Sequence, residues 1–469
     1  VMAVLVDGFK RQDAEKVAKN LPLMRDDGFG RLLSPLIVAW ASVLQNKPEE
    51  GIARLNQMEK DYPTVRPLVN AQKALIYEVG KKPEQAEKYF LQSLDDNLSL
   101  RSAWMIGQFY ERQGNRDKAL DIYRKMSEKI PDATLSQMAL QRIQDDGLNK
   151  NPVATVVGDG VAAALYDVAS VLYQESSPRM AVLYGQLAYY LTPQDPFVNL
   201  LLGDIFASSM VRNSAEAYYR SAAETHDLSV LAQLRLASLY ESVGQTDEAL
   251  DILQELRKND LTKRQATTEI ADMYRRQEEF SKAIPYYDEV IAGIDKPKES
   301  DWPIYYARAI CLERGNKLEA SEDDLHQALQ LSPDQPEVLN YLAYTWADHG
   351  KNLDKALQML QRALAGSPQD PYITDSVGWA LYRLGRFEEA IPYLDTAAQG
   401  LPDDMTVNDH LGDAYWRVGR RLEAQFQWKR ALKGATDKEK SQADAIRKKL
   451  IKGLPETSLT ENIKTKLRG

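Results

Sequence analysis

The chain has 469 residues, enough for several domains or one long solenoid, and it is rich in Ala, Leu, Glu, Lys, Arg and Gln with few β-branched runs, a composition that favours helix. A net charge of -9 and a pI near 5.3 exclude the global basic field of a nucleic-acid-binding protein, and a single cysteine, Cys311, excludes an intrachain disulfide. No run approaches the roughly 18 apolar residues of a transmembrane helix. The start, VMAVLVDGFKRQ, lacks the basic leader and long apolar run of a signal peptide, and its first residue is Val, so a mature or trimmed product is expected.

In chain order, Leu5 to Leu21 reads as one amphipathic helix that starts the array or ends an upstream one. Three helical hairpins follow. Ala39, Ala74 and Gly107 are the small residues of their first helices, and Gly51, Ala86 and Ala119 those of their second helices. Asn46-Lys47-Pro48, Lys81-Lys82-Pro83 and Gly114-Asn115-Arg116 supply the turns. Thr134 to Asp146 reads as a lone helix. Gly147 to Gly160 (GLNKNPVATVVGDG) has no helical period, so a loop and a subdomain boundary are expected there.

Beyond it, first-helix small residues fall at Ala169, Gly203, Ala237, Ala271, Ala309, Ala343, Gly378 and Gly412, mostly 34 apart. Their second-helix counterparts are Ala181, Ala215, Ala249, Ala283, Ser321, Ala356, Ala390 and Ala424. A polar insertion, Asp295 to Pro303, absorbs the one wider gap and suits a turn. Asp437 to Lys452 reads as a Lys-rich capping helix with a thin apolar stripe of Ala443, Ile446 and Leu450, followed by a short basic tail.

The pattern is written most clearly from Pro371 to Ala431. Gly378 recurs as Gly412, Ala390 as Ala424, Ala397 as Ala431, and Tyr382 as Trp416. A period of about 34 residues is that of tetratricopeptide repeats, helix-turn-helix units that bury their apolar faces only by stacking. The expected fold is therefore an all-α tetratricopeptide-repeat solenoid, a right-handed superhelix of about eleven units. Its expected divisions are residues 1–146, a linker at 147–160, a second array at 161–434, and a cap and tail at 435–469.

In such arrays the first helix of each pair lines the concave surface. That register places Tyr306, Asn340, Tyr344, Asp375, Trp379, Tyr382, Asp409, Asp413 and Trp416 on the inner face as the candidate partner-binding residues. Rings alternating with carboxylates and an amide suit an extended peptide. The same side chains also suit packing and hydrogen bonds between adjacent repeats. The face that would grip a carboxylate terminus is acidic or aromatic in the last repeats, so a basic clamp is not expected. The four histidines, His226, His326, His349 and His410, are far apart in sequence, and there is no phosphate loop or nucleophile elbow. Neither catalytic residues, nor a metal site, nor any cofactor is expected, and the chain reads as a binding protein rather than an enzyme.

The words DWPIYYARAICLER, PDQPEVLNYLAYTWADHGKNLDKAL, DSVGWALYRLGRFEEAIPYL and NDHLGDAYWRVGRRLEAQFQWKRAL, within Asp301 to Leu432, resemble exported tetratricopeptide proteins of Gram-negative, alphaproteobacterial-type bacteria. Better understood relatives include outer-membrane lipoprotein adaptors of carboxy-terminal processing proteases. The resemblance implies a periplasmic scaffold, anchored to the outer membrane through a segment not present here. Its implied partners are a periplasmic protease and the cell-wall hydrolases brought to it. A component of a polysaccharide synthesis or export apparatus, and the regulatory part of a larger enzyme, are the alternatives.

Overall fold

In the computed structural model, residues 1–24, 30–96, 99–129, 133–145, 147–148, 156–224, 228–434 and 440–455 are described. Among them there are helices and turns and no strand. The protein is an all-α solenoid of antiparallel helix hairpins, and its chain falls into two compact units, Val1–Ile270 and Ala271–Gly469.

The first unit holds α1 (Met2–Lys10) and α2 (Ala14–Asn20), α3 (Gly30–Leu44) and α4 (Pro48–Asp61), α5 (Arg66–Val79) and α6 (Pro83–Asp96), and α7 (Leu100–Arg112) and α8 (Arg116–Lys129). Then come α9 (Ala133–Gln144), α10 (Val157–Gln174) with α11 (Pro178–Leu191), α12 (Pro196–Ser208) with α13 (Arg212–Ala223), and α14 (Ser229–Ser242) with α15 (Thr246–Leu256). The division falls inside α16 (Asp260–Arg276). The second unit continues with α17 (Phe280–Ala292), α18 (Trp302–Arg314) and α19 (Leu318–Leu331), and α20 (Pro336–Asp348) and α21 (Leu353–Gly366). It ends with α22 (Pro371–Arg383) and α23 (Phe387–Gly400), α24 (Met405–Arg417) and α25 (Arg421–Gly434), and α26 (Lys440–Lys452).

The small first-helix residues work by close approach. A Cβ on Gly378 would lie 2.6 Å from Leu394, on Gly412 2.5 Å from Trp428, on Gly203 2.4 Å from Tyr219, and on Gly107 2.4 Å from Tyr123. In each case the neighbour is a large side chain sixteen positions on, in the second helix. That big residue is fully buried in Tyr123, Tyr287 and Trp428. The hairpin turns share one device: a residue with positive φ, as at Asn46, Lys81, Gly114, Gly385 and Gly419, lets the chain reverse within three residues.

Three expectations are corrected. Leu5 to Leu21 is two helices, because Gln12 turns left-handed and the Asp13 carboxylate accepts from the Lys16 amide to start α2. The two form a further hairpin, with Gly8 against Val17. The Gly147–Gly160 segment, of which 149–155 lie outside the described residues, is helical from Val157. There Asp159 accepts from the Val156 amide at 3.1 Å and caps the helix. Gly158 and Gly160 serve contact rather than a turn: Phe9 carbonyl lies beside the first, and a Cβ on the second would meet the Trp40 ring at 2.1 Å. Finally, Trp302 and Pro303 belong to the first turn of α18, and Asp301 caps the short helical turn ahead of it by accepting from Lys298.

Within the first unit, α10 packs against α1, α3 and α5. Trp40 donates to Gln72 at 2.8 Å, Gln72 donates to Asp167 of α10 at 3.0 Å, and Arg101 donates to the same carboxylate at 3.0 Å. The Arg101 guanidinium also sits 4.0 Å over the Tyr166 ring. A buried arginine is kept charged by this arrangement: burial opposes the charge, and Asp167 and Asp195 more than restore it. The first array thus closes around a helix of its own chain.

Candidate functional site on the inner helix face

The repeat period stacks the candidate residues into columns. Tyr306, Asn340, Asp375 and Asp409 each lie three residues before the small residue of their helix, and Tyr344, Trp379 and Asp413 each lie one after it. Tyr382 and Trp416 lie one helical turn further on. Neighbouring first helices α20, α22 and α24 are in direct contact, so each column forms a ladder across repeats.

Towards the C-terminal end that ladder is closed. His410 Nδ1 lies 2.9 Å from Asp375 Oδ2, and the imidazole stacks on Trp379 with centroids 3.9 Å apart. The other face of the Trp379 indole stacks on Tyr382 at 4.8 Å, and the Tyr382 hydroxyl accepts from Arg417. Lys449 of α26 places its ammonium 2.8 Å from both Asp409 and Asp413. Trp416 packs on Trp428 and lies under the Arg421 guanidinium at 3.7 Å, while Gly453 approaches its ring so closely that a Cβ would overlap it. Arg417 donates to the Pro455 carbonyl at 2.6 Å, fastening the segment after α26.

Asp413 also accepts from Trp428 Nε1 at 2.9 Å. The same bond occurs twice elsewhere, from Tyr219 to Asp204 and from Tyr287 to Asp272, each at 2.7 Å and across fifteen residues. Asp413 is therefore one of three equivalent acceptors that tie a buried ring on the second helix to the first. The carboxylates Asp375, Asp409 and Asp413 are buried and each meets a donor on a neighbouring element, which is the inter-repeat bonding the sequence also allowed.

One ammonium shared by two carboxylates sets the electrostatics of this corner. Burial, then the neighbouring Asp409, pushes the Asp413 carboxyl up to about 6, against the opposing pull of Lys449. Burial draws the Lys449 ammonium down, but the two aspartates outweigh it and hold the group above its ordinary value. For His410 burial also pulls downward, and Asp375, with Asp409 and Asp413, reverses it so that the imidazole titrates above the usual histidine range.

The earlier repeats are different. Tyr306, Asn340 and Tyr344 are half-buried. Tyr306 meets Tyr341 edge-on at 5.8 Å, and Tyr341 donates to Glu313 at 3.1 Å. Burial pushes the Tyr344 phenol upward, with Asp348 and Asp375 adding to it. Asn340 Oδ1 and Trp379 Nε1, on the touching helices α20 and α22, are shut from solvent and have no hydrogen-bond partner. The nine candidate residues thus divide into a satisfied set (Asp375, Tyr382, Asp409, Asp413, Trp416) and an incompletely satisfied set (Tyr306, Asn340, Tyr344), with Trp379 between them.

His410, Lys449, Arg417 and Trp428 complete the corner and were not among the candidates. The signal for Trp428 was present, as a large ring fifteen residues after an aspartate in three repeats. Nothing in the repeat spacing pointed to Lys449, which comes from the cap. Among the described residues, no group of three His, Cys, Asp or Glu side chains converges to hold a metal ion, and no helix is long and apolar enough to cross a membrane. Cys311 is buried beside α16, and burial pushes its thiol up to about 11.

Comparison with known proteins agrees with the hairpins. Residues 234–298, 306–371 and 377–440 match one family model described as tetratricopeptide repeat, and residues 101–133 match a second of the same description. The chain is 31% identical over 161 residues, 34% of its length, to the TPR repeat-containing protein PA4667 of Pseudomonas aeruginosa. That alignment takes in only 26% of the relative. Among solved structures, yeast Tom70 is 15% identical with a TM-score of 0.40, covering 95% of this chain and 97% of that one. The APC/C hetero-tetramer Cut9-Hcn1 is 14% identical with a TM-score of 0.45, covering 97% and 95%. A MamA structure (AMB-1) is 22% identical with a TM-score of 0.31, covering 36% and 96%. The fold class that the helix hairpins and the family-model matches define is the tetratricopeptide-repeat solenoid, a protein-binding scaffold.

Proposed function

We propose that this protein is a non-enzymatic adaptor of the cell envelope that holds a partner protein on the inner face of α18, α20 and α22. The observation that carries the reading is the contrast in satisfaction along one ladder. Where the cap closes it, the ladder carboxylates Asp375, Asp409 and Asp413 each meet a donor. On α20 and α22 a buried acceptor, Asn340 Oδ1, and a buried donor, Trp379 Nε1, lack partners beside half-exposed tyrosines. A polypeptide segment offers both missing groups, an amide N–H and a carbonyl, to atoms reached when the side chains covering them shift on binding, and rings such as Tyr306 and Tyr344 supply contact area.

The finer identity rests on the sequence words between Asp301 and Leu432, which resemble outer-membrane adaptors of carboxy-terminal processing proteases. On that reading the protein is periplasmic and brings cell-wall hydrolases to a protease. The test is a purified degradation assay. Adding the protein should speed cleavage of the hydrolase, and the Asn340→Ala/Tyr344→Ser double variant should abolish the acceleration with an unchanged melting point. Cleavage at the same rate with and without the protein would defeat the adaptor reading.

A further inference from the structure

Charge is unevenly distributed along this chain. The last 53 residues, from Arg417, carry 15 basic and 6 acidic side chains, a net of +9, in a protein whose total is -9. Part of this charge is spent internally, as in the Lys449 clamp and the Arg420–Glu423 and Arg447–Asp444 pairs. Lys429, Lys433, Lys440, Lys448 and Lys452 are exposed and, among the described residues, make no ion pair.

Bulky apolar side chains stand among these cations. Leu422 is 80% exposed, Phe426 63% and Ile451 82%. On α25, Leu422, Phe426, Lys429 and Lys433 are spaced four, three and four residues apart, so they share one solvent-facing stripe. Ile451 lies on α26 between Lys448 and Lys452. None of the three apolar residues is needed for the core: the buried side of α25 is made by Ala424, Gln427, Trp428 and Ala431, and that of α26 by Ala443 and Ile446.

We infer that this C-terminal end is a docking surface for an anionic lipid bilayer, with the lysines at the headgroups and Leu422, Phe426 and Ile451 inserted at the acyl boundary. Unpaired lysines match a negative surface in charge. Projecting single side chains on an exposed helix face suit a soft interface that closes around them, whereas a folded acidic protein would have to supply a separate pocket for each. Since no described helix can span a bilayer, contact of this peripheral kind is the mode open to these residues.

The experiment is co-sedimentation of the full chain with vesicles of phosphatidylglycerol and phosphatidylcholine, against phosphatidylcholine alone. Binding is expected only with the anionic lipid, weakening as ionic strength rises because exposed charges are screened over about 8 Å at physiological salt. The Lys429→Glu/Lys433→Glu/Lys448→Glu variant should lower the bound fraction at least about tenfold, each cation near the surface being worth about fivefold in partition. The Leu422→Ser/Phe426→Ser/Ile451→Ser variant should weaken binding while leaving its salt dependence in place. Circular dichroism of both variants should match the parent, and the salt series on the unmodified chain serves even if a variant fails to fold. Equal binding to both vesicle types, no binding to either, or binding to an acidic protein with vesicles ignored would each overturn the inference.

Discussion

The two units treat the inner face of their first helices in opposite ways. In the first, Trp40 follows the small residue Ala39, is fully buried against α10, and donates to Gln72. In the second, Trp379 follows Gly378 in the same register, lies between Tyr382 and His410, and leaves its Nε1 unpaired. The first unit packs a helix of its own, α10, against α1, α3 and α5, through Gly160, Asp167 and the buried Arg101. The second closes its C-terminal corner with Lys449 and the 453–455 segment and leaves Asn340 and Tyr344 less complete. The repeat surface is thus able to serve as an internal joint, as the contacts of Trp40 and Asp167 with neighbouring helices show.

The sharpest way to break the joint is Asp167→Ala. It leaves Arg101 buried with only Asp195, 3.8 Å away, so urea denaturation should show a loss of about 3 kcal/mol or more. Next is Lys449→Ala, which leaves Asp409 and Asp413 buried beside each other. A cost of about 2–3 kcal/mol is expected, confined to the last repeats because solenoid units contact only their neighbours. Trp416 and Trp428 fluorescence should shift early in the melt while most of the helical signal persists. By the same logic, Trp379→Ala should cost about 3 kcal/mol through its lost stacking partners. That makes it a poor probe of binding and leaves Tyr344 and Asn340 as the informative positions.

A smaller effect follows from titration of the corner. Asp413 has its folded-state value raised to about 6, so the stability linked to its protonated form is present below the unfolded value near 4 and is lost as pH rises through 6. His410 is also raised, so its contribution is present below about 6.5 and is lost as pH rises through its higher folded value. Both slopes have the same sign: melting of the last repeats should fall from mildly acidic to mildly alkaline pH, and Asp413→Asn should flatten the lower part of that fall. The smallest expected change is at the turn residue Met210, exposed and left-handed at φ 58. Met210→Gly should raise stability by about 0.5 kcal/mol in thermal denaturation, relief of strain being partly offset by a freer unfolded chain.

The aromatic inner face also bears on what the groove can hold. A sugar-stacking role needs an open ring face. Both faces of Trp379 are covered, and Trp416 lies between Trp428, Arg421 and Gly453. Oligosaccharide quenching of tryptophan fluorescence is accordingly expected to be absent.

Much of this molecule was legible in its residues. Small side chains at 34-residue spacing set the hairpins, since only Gly at positions such as 107, 203, 378 and 412 admits the large side chain sixteen residues later. The turn residues marked the reversals, and the apolar stripe of Ala443, Ile446 and Leu450 marked the cap. Legibility failed where a residue type had two uses. Gly158 and Gly160 read as loop formers, yet their smallness admits Phe9 and Trp40, which lie more than a hundred residues earlier. Inner-face aspartates read equally as partner-binding groups or as bonds between repeats, and their donors come from neighbouring helices and from the cap. Periodicity is a local property, carried by each hairpin on its own. Which groove is filled, and which carboxylate meets a cation, depends on contacts between distant segments that only the folded chain brings together.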